Sequence, residues 1–534
     1  MTNINELLRE HVTLDVQCLD RIYLNGYVPT LQVPGQLVTF LVHHRKQPVP
    51  SPALLGKMTA SFRQAVESYA AQNQVPIVQF DRRERKDDVA AKYLRTFDRP
   101  SGVVLIGVAQ EKAYSFKGQK KSATRPGFVS FDYSRQTVNV IHYYFYVKDE
   151  EFGPAFIKVC TYAPFPVKVC LNGHEWAKQQ LCRQGIPFEP LDNGFLSCAD
   201  PTQLQTICDA LGTEQIQQFF DRWASRLPWP LTPEDQQAGY RHRLSVWQLE
   251  ISRTQVFAQP VHGREFFEQT IRDNLDLGRP DRVQLVFDRK VIKTTPGQFR
   301  TRVIEDGVQP SLHIEYKHSR LKQYFKENRA LRAETTINDP ADFGVRKDIS
   351  QLPYLQQIGR EINQRLLSVQ RISQDCALSQ ESVERVVQPT VTENGQRAPG
   401  LRFGDPRVMA LLMALTLFLH VPHGFTACTL RQHVADLLGL NLTTYRSAQM
   451  TYDLRRLAAK GLIWRIPNSY RYCVTPYGYR VAVFFTKLNA RLFRPGFAAF
   501  APHQAVPQPL AKALEQVDRE IACLISQAEL KKAA

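Results

Sequence analysis

Acidic residues provide the first candidates for chemistry in this chain. Asp132 lies on one predicted strand, Asp149 ends the next predicted strand, and Glu175 lies on the helix that follows. Converging carboxylates suit metal-dependent hydrolysis of nucleic acid, because Mg²⁺ prefers hard oxygen ligands and bridges the scissile phosphate. Acids in turns, such as Asp149, also commonly face water without any further role. This first set therefore predicts a catalytic site only if its three carboxylates converge.

A second, rival set follows later in the chain. Asp306 precedes Glu315 and Lys317, and the three residues occupy a predicted pair of strands. Their spacing resembles the Asp…Glu-x-Lys pattern of restriction-type nucleases, which implies that the acids hold Mg²⁺ and that the lysine orients water. The first set instead resembles the strand and helix acids of ribonuclease-H-like nucleases and transposases. Mg²⁺ is the cofactor expected if either set is catalytic.

The motifs of several other enzyme classes do not occur. The sequence has no GxxxxGK[ST] loop, no paired CxxC and no HExxH. A P-loop ATPase is therefore not expected, and the strong zinc patterns are missing. The ten cysteines are scattered without paired spacing, as is typical of reduced thiols.

The segment 426–487 has the clearest local pattern. One helix with an apolar side is predicted for 429–439, where a glycine ends it. A second helix is predicted for 447–461, again with apolar residues on one side. Two strand-like runs then flank a turn at 467–469. The Thr-Pro pair at 475–476 is typical of a helix start.

This order of two helices, a hairpin and a closing helix resembles the winged helix-turn-helix family over residues 405–491. The resemblance implies that the second helix enters the major groove of duplex DNA and that the hairpin touches the backbone or the minor groove. Glutamine and arginine side chains can pair bidentately with base edges. The candidate contacts are Arg446, Gln449, Tyr452, Arg455, Arg456 and Lys460 on or beside the helix, and Arg465 and Arg471 on the hairpin. Such modules also serve as protein-binding platforms, so a protein partner is the alternative.

The distribution of charge agrees with a nucleic-acid partner. The chain has 68 Lys and Arg against 51 Asp and Glu, a net charge of +17. Residues 402–494 contain thirteen basic and three acidic residues, so this part supplies +10 of the total. A clustered excess of positive charge favours a polyanionic partner.

Two further basic segments lie outside this region. Residues 112–127 include five basic residues, no acid and several aromatic neighbours. They predict a flexible loop that either contacts nucleic acid or only keeps a hairpin soluble. Residues 317–332 include six basic residues and one acid, which predicts a basic insertion between two strands that clamps the phosphate backbone. The candidate residues are Lys117, Lys120, Lys121, Lys317, Arg320, Lys322, Lys326 and Arg329.

The chain is predicted to be an α+β protein in which mixed or antiparallel sheet domains with packed helices precede the C-terminal module. The expected order is an N-terminal domain (1–228), a second domain (229–375), a polar linker (376–403), the winged-helix module (404–492), and a proline-rich segment with a terminal helix (493–534). The apolar side of that terminal helix suits a homodimer interface or docking onto the protein itself.

Composition and targeting signals suggest the compartment. Hydrophobic residues make up 43% and charged residues 22% of the chain, as in globular proteins. The first ten residues lack the apolar core of a signal peptide, and the longest apolar run, 408–421, is too short to span a bilayer. We therefore expect a cytoplasmic protein with no membrane partner.

Together these patterns predict a nucleic-acid-binding protein, with duplex DNA as the favoured ligand and RNA as the other candidate. The leading hypothesis is DNA processing of the mobile-element or replication type, with a metal-dependent nuclease as the candidate activity. The alternative is a non-enzymatic DNA-binding regulator or a protein that binds structured RNA.

Overall fold

The computed structural model describes most of the chain. The described residues are 11–47, 52–81, 83–120, 131–273, 286–287, 301–306, 309–374, 378–391, 395, 397–416, 424–489 and the single positions 512, 516, 519 and 520. They fall into two compact units, residues 1–368 and residues 369–534. The terminal helix predicted as a dimer interface lies outside the described residues apart from those four single positions. Lys121 also lies outside them.

The first unit mixes helices with long strands. Its first part contains β1 (Val12–Tyr27), α1 (Pro34–Thr39), α2 (Pro52–Asn73), β2 (Ile77–Gln79), α3 (Lys86–Thr96), β3 (Gly102–Lys120), β4 (Phe131–Asp149), β5 (Gly153–Cys160) and β6 (Val167–Asn172). It continues with α4 (Gly173–Gln184), β7 (Phe188–Leu191), β8 (Gly194–Cys198), α5 (Pro201–Ala210), α6 (Thr213–Arg226), α7 (Pro233–Gln237) and β9 (Arg243–Phe257). It ends with α8 (Pro260–Asp273), β10 (Thr301–Asp306), β11 (Gln309–Tyr316), β12 (Ser319–Lys326), β13 (Ala330–Ile337) and α9 (Leu352–Gln374), whose last residues belong to the second unit.

Eleven of these strands form one sheet, in the order β10-β11-β12-β13-β9-β1-β6-β5-β4-β3-β2. The short β2 pairs parallel with β3, and the other neighbours are antiparallel. The strands β7 and β8 form a separate hairpin. The predicted α+β class with a mixed sheet is thereby confirmed.

The same order of elements occurs twice in this unit. β1 precedes the antiparallel run β3 to β6, and β6 returns to pair with β1. β9 precedes α8 and the run β10 to β13, and β13 returns to pair with β9. β1 and β9 pair with each other at the centre. The sheet therefore has two halves with the same strand order outwards from the β1–β9 pair, which we call the seam.

The seam bears on the domain boundary expected at residue 228. β1 belongs to the first expected domain and β9 to the second, yet the two strands pair from Val12 with Phe257 to Tyr27 with Arg243. Strands from both expected domains thus lie in one sheet, and residues 1–368 form a single unit. Sequence patterns report local periodicity, so a pairing between residues more than 200 positions apart leaves no signal in them.

Helices cover the two faces of the sheet unequally. On one face lie α2 and α9, and α9 approaches β9 so closely that a Cβ on Gly359 would lie 2.1 Å from Cδ1 of Ile251. On the other face α3 joins a buried aromatic cluster over β3 and β4. Over β9 and β13 this second face is partly covered, because His174 of α4 lies 3.0 Å from the hydroxyl of Ser252 and Gly194 of the β7–β8 hairpin lies against Arg332. Arg21 on β1 and Arg320 on β12 remain exposed.

The second unit is built from short elements. It contains α10 (Gln380–Val387), β14 (Thr390–Val391), β15 (Arg397–Ala398), α11 (Pro406–Leu415), β16 (Phe425–Thr426), α12 (Ala427–Leu438), α13 (Ser447–Ala459), β17 (Ile463–Arg465), β18 (Arg471–Val474) and α14 (Pro476–Leu488). Three of its strands form a sheet in the order β16-β18-β17. The helices α12, α13 and α14 and the strands β17 and β18 lie where the sequence predicts them, whereas the short strand β16 was not predicted.

Local capping groups explain this agreement. The side chain of Asp405 accepts a hydrogen bond from the backbone N–H of Arg407 at the start of α11. Gly439 ends α12 with a φ of 65°, a conformation that favours glycine. Thr475 accepts a hydrogen bond from the N–H of Gly478 at the start of α14. Each signal acts within a few residues and is therefore readable from sequence.

Two segments differ from the sequence-based expectation. The basic run 112–127, expected to be a flexible loop, belongs to β3 as far as Lys120. The segment 376–403, expected to be a linker, contains α10 and the β14–β15 hairpin in its described part. Both segments carry polar side chains because one side of each faces water. A polar composition by itself predicts a loop.

Candidate nucleic-acid interface

Helix α13 is held in place by its apolar side. It buries Met450, Leu454 and Leu457 in the core of the second unit. At its start the side-chain oxygen of Gln449 accepts a hydrogen bond from the backbone N–H of Arg446, at 2.8 Å. This anchoring decides which residues of α13 face outwards.

The outer side of α13 combines positive charge with an exposed ring. Tyr452 is 47% exposed, and Arg446 and Arg455 are also exposed. The guanidinium carbons of Arg407 and Arg456 lie 5.9 Å and 5.3 Å from the centroid of the Tyr452 ring. Such cation–π contacts keep cations close to the ring. The surface can therefore offer arginines to phosphates or base edges.

Two residues predicted as contacts have structural partners instead. Arg456 is half-buried and donates a hydrogen bond to the carbonyl of Gly400 at 2.7 Å. Lys460 is fully buried, and its ammonium donates to the carbonyl of Gln388 and to the hydroxyl of Thr390. The prediction that Lys460 contacts nucleic acid is therefore wrong, because a buried ammonium cannot reach a phosphate.

The polar side of α13 also carries a buried carboxylate. Asp453 is fully buried, and its Oδ2 accepts hydrogen bonds from Nε of Arg407 at 2.8 Å and from the hydroxyl of Tyr445 at 2.7 Å. Arg407 at the start of α11, together with Gln388, Thr390 and Gly400, thus packs on part of the helix that a helical projection places in solvent. The exposed surface of α13 is consequently narrower than the sequence predicts.

The β17–β18 hairpin is a second exposed part of this unit. Arg465 is exposed, donates to the carbonyl of Ser469 at 2.9 Å and lies 5.8 Å from the ring centroid of Tyr470. Tyr470 is 86% exposed and Trp464 is 49% exposed. Arg471 is exposed, and its guanidinium donates to the carbonyl of Gly424 at 3.2 Å. Two arginines and two rings therefore lie at or near the protein surface.

The basic residues predicted in the first unit lie on strands. Lys117 is exposed on β3. The expected insertion 317–332 is instead the strand β12 with its flanking turns, so the prediction of a basic loop is wrong. On β12 the alternating residues Arg320, Lys322 and Lys326 share one face. Arg329 is exposed in the turn that follows.

The first carboxylate set does not converge. Asp132 and Asp149 lie at opposite ends of the single strand β4, and 17 residues of strand correspond to about 55 Å. Asp149 is buried and accepts hydrogen bonds from Arg222 at 3.0 Å and from Trp223 at 2.8 Å. Glu175 forms an ion pair with Lys178. The sequence pattern indicates two strands here, which would place Asp132 and Asp149 on neighbouring strands, whereas the structure has one continuous strand.

The second carboxylate set is also separated. Asp306 pairs with Gln309 in the β10–β11 hairpin, whereas Glu315 lies six residues further along β11 and pairs with Arg320. Six residues of strand correspond to about 20 Å. Lys317 donates to the carbonyl of Asp342 at 3.4 Å, in the turn after β11. The antiparallel pairing of β10 with β11 thus places the two acids apart.

Three carboxylates that the sequence analysis missed do converge at the seam. Asp20 on β1, Glu250 on β9 and Glu334 on β13 each place an oxygen within 4.8 Å of the others. Arg332 is fully buried among them, where it pairs with Asp20 and places its Nε 3.5 Å from Oε2 of Glu334. Such oxygens are suitable ligands for a divalent cation. Since Arg332 already supplies a counter-charge, a buried ion-pair network accounts for the cluster.

The surroundings of these acids shift their pKa values in different directions. Burial, Glu334 and Asp20 raise the pKa of Glu250 to about 7. Burial and Asp20 also raise the pKa of Glu334. Burial alone would raise the pKa of Asp20, but Arg332 and His174 outweigh it and lower that pKa. Glu250 therefore carries a proton for part of the time at neutral pH.

No family model, no curated protein and no solved structure matches this chain. Across the described residues, none of the helices combines the length and the apolar character that crossing a membrane requires.

Proposed function

We propose that this chain is a DNA-binding protein and that its second unit is a winged helix-turn-helix module that docks α13 into the major groove of duplex DNA. The observation that carries the proposal is the exposed surface of α13, where Tyr452 and Arg455 are exposed about one turn apart and Arg446 is exposed at the start of a helix anchored in the core. A helix presented in this way suits major-groove docking.

The order and pairing of elements support the module. α11 and α12 precede α13, and β17 and β18 follow it as a hairpin that β16 extends to three strands. Arg465 and Arg471 on this hairpin would then lie beside the duplex backbone, as the wing of such a module does. The positive charge concentrated in 402–494 supports the same ligand.

A salt titration tests the proposal on the full chain. Binding to random duplex DNA should weaken steeply with salt, because each phosphate neutralised contributes a slope of about −0.9 in log affinity against log salt. Replacing both Arg446 and Arg455 with alanine should weaken binding and lower that slope by about 1 to 2. Arg63→Ala, which removes an exposed arginine from α2, is the matched control and should change neither quantity.

Three other outcomes have distinct meanings. Wild-type protein that does not bind duplex DNA at low salt would overturn the proposal and favour the module as a protein-binding platform. Equal or tighter binding of structured RNA would replace DNA with RNA as the ligand. Mg²⁺-dependent product bands would add the nuclease activity of a DNA-processing protein, and their loss in Glu250→Gln would assign that activity to the seam.

A further inference from the structure

The exposed face of the central sheet has a composition that the duplex-binding module does not explain. Arg21 pairs with Glu250, Glu250 with Thr336, and Thr336 with Arg320, so these four side chains form one row across four strands. Residues opposite one another in antiparallel strands share a face. Arg21 and Arg320 are exposed at the two ends of this row, whereas Glu250 is half-buried and Thr336 is buried between them. We call this side of the sheet the open face.

Two lysines lie over aromatic rings on the open face. Nζ of Lys168, on β6 in the first half, lies 3.5 Å from the ring centroid of Trp247, which is on β9 at the seam and is 39% exposed. In the second half, Nζ of Lys322 lies 4.1 Å from the ring centroid of Tyr324. The first lysine–ring pair crosses the seam, and the second lies within β12 of the second half.

The charge of the open face is positive at its edges and weakened at its centre. Arg21, Lys168, Arg320 and Lys322 supply cations on both sides of the seam. At the centre, Glu250 has a pKa of about 7, so its negative charge is incomplete at neutral pH, and Arg332 pairs with the neighbouring Asp20 and Glu334. A polyanion crossing the seam would therefore meet cations on both sides and limited repulsion between them.

We propose that the open face binds single-stranded nucleic acid, with Trp247 and Tyr324 stacking on bases and the lysines and arginines contacting phosphates. Single strands fit better than a duplex, because only unpaired bases offer their faces to rings on the surface of a sheet. Since these residues lie in the first unit, binding here is independent of the duplex site proposed for α13.

The test uses the full chain and a labelled oligothymidylate of about 15 nucleotides, the upper range of single-strand sites of this kind. Trp247→Ala should weaken its affinity by about tenfold, the effect of losing one stacked base. The double substitution Lys168→Gln and Lys322→Gln should weaken binding and reduce its salt dependence. Neither change should move duplex affinity, and Lys57→Gln on α2 is the control for charge alone.

A stacking-specific signal separates contact from a structural effect. Oligothymidylate should quench tryptophan fluorescence in the wild type and in Trp464→Phe, but much less in Trp247→Phe. The substitution of Arg446 and Arg455 with alanine should weaken duplex binding and leave this quenching unchanged. The proposal is overturned if wild-type protein binds no oligothymidylate at low salt, if Trp247→Ala and the lysine pair bind it normally, or if single-strand binding is lost together with duplex binding. An oligouridylate series run in parallel decides between DNA and RNA.

Discussion

The buried charged side chains Arg332 and Asp453 are paired with residues from other strands and helices. Arg332 lies between Asp20 and Glu334, and Asp453 holds Arg407 and Tyr445. Removing one member of such a set leaves the others desolvated and unpaired, which costs more than the pair contributes. These sets therefore restrict where strands and helices can pack, whatever their net contribution to stability.

Glu250 should make the stability of the first unit decrease as pH rises. Its pKa is about 7 in the folded protein and near 4.5 without the surrounding structure. Between these values the folded state binds the proton more tightly than the unfolded state, so the free energy of unfolding falls with increasing pH. The full difference corresponds to roughly 3 kcal/mol, an upper bound for a group that is not completely buried.

Urea unfolding from pH 5 to pH 8 checks this prediction. Glu250→Gln keeps the oxygen that accepts a hydrogen bond from Gln248 but removes the titration. The variant should lose part of the decrease in stability seen in the wild type between pH 5 and pH 7. Glu67→Gln, which changes an exposed glutamate on α2, should leave the decrease intact. Identical pH profiles for wild type and Glu250→Gln would show that Glu250 ionises normally.

At the scale of elements, the contact between α9 and β9 is unusually close. A Cβ at Gly359 would lie 2.1 Å from Cδ1 and 3.1 Å from Cβ of Ile251, which is itself fully buried. We expect Gly359→Ala to destabilise the first unit by about 1 to 3 kcal/mol, the usual range for an overpacked core. Gly56→Ala on α2 meets nothing within 4 Å and should instead stabilise the unit by up to about 1 kcal/mol, the helix-propensity gain.

Thermal unfolding of the two glycine variants measures this contrast. The two substitutions should change the free energy of unfolding in opposite directions, although both add the same methyl group to a helix of the same unit. If Gly359→Ala were as stable as the wild type, α9 would have room to move away from the sheet. The tight approach of α9 would then contribute little to the packing of β9.

Helices and strands were predictable where their signals are local. The accessibility of the candidate site residues was predictable only in part. Gly439 and Thr475 mark helix ends that the sequence alone locates. The burial of Lys460 depends instead on Gln388, 72 residues earlier, and a helical projection contains no information on such packing. Arg446, Tyr452 and Arg455 were predicted as exposed residues and are exposed. Local pattern thus reports which residues begin, end and line a helix, and distant contacts decide which of them remain accessible.

The carboxylates illustrate the same limit for strands. The polar residues 134–137 interrupt the run of strand-forming residues and so predict a turn, with Asp132 and Asp149 on neighbouring strands. In the structure the pairing of β3 with β4 continues through this interruption. Asp20, Glu250 and Glu334 meet only because their strands pair at the seam. Their separation in sequence exceeds 80 residues at every step, beyond the reach of any spacing rule for a single chain.

At the scale of the whole molecule, the seam predicts how the first unit unfolds. Because β1 and β9 join two halves of one sheet, loss of packing in either half should destabilise the same cooperative unit. Leu171→Ala on β6 creates a cavity in the first half, and Leu321→Ala on β12 creates one in the second. Each should cost about 2 to 5 kcal/mol. Both should lower the same calorimetric transition of the full chain.

A variant in the second unit provides the comparison. Leu457→Ala removes a fully buried side chain from α13, within a hydrophobic core formed by the second unit's own residues. It should lower a transition that Leu171→Ala and Leu321→Ala leave in place. If those two variants instead lowered different transitions, the chain would divide near residue 228, and the seam would be a contact between two domains. Coincident shifts would mean that the duplicated halves depend on each other, since neither half would retain its structure when the other has unfolded.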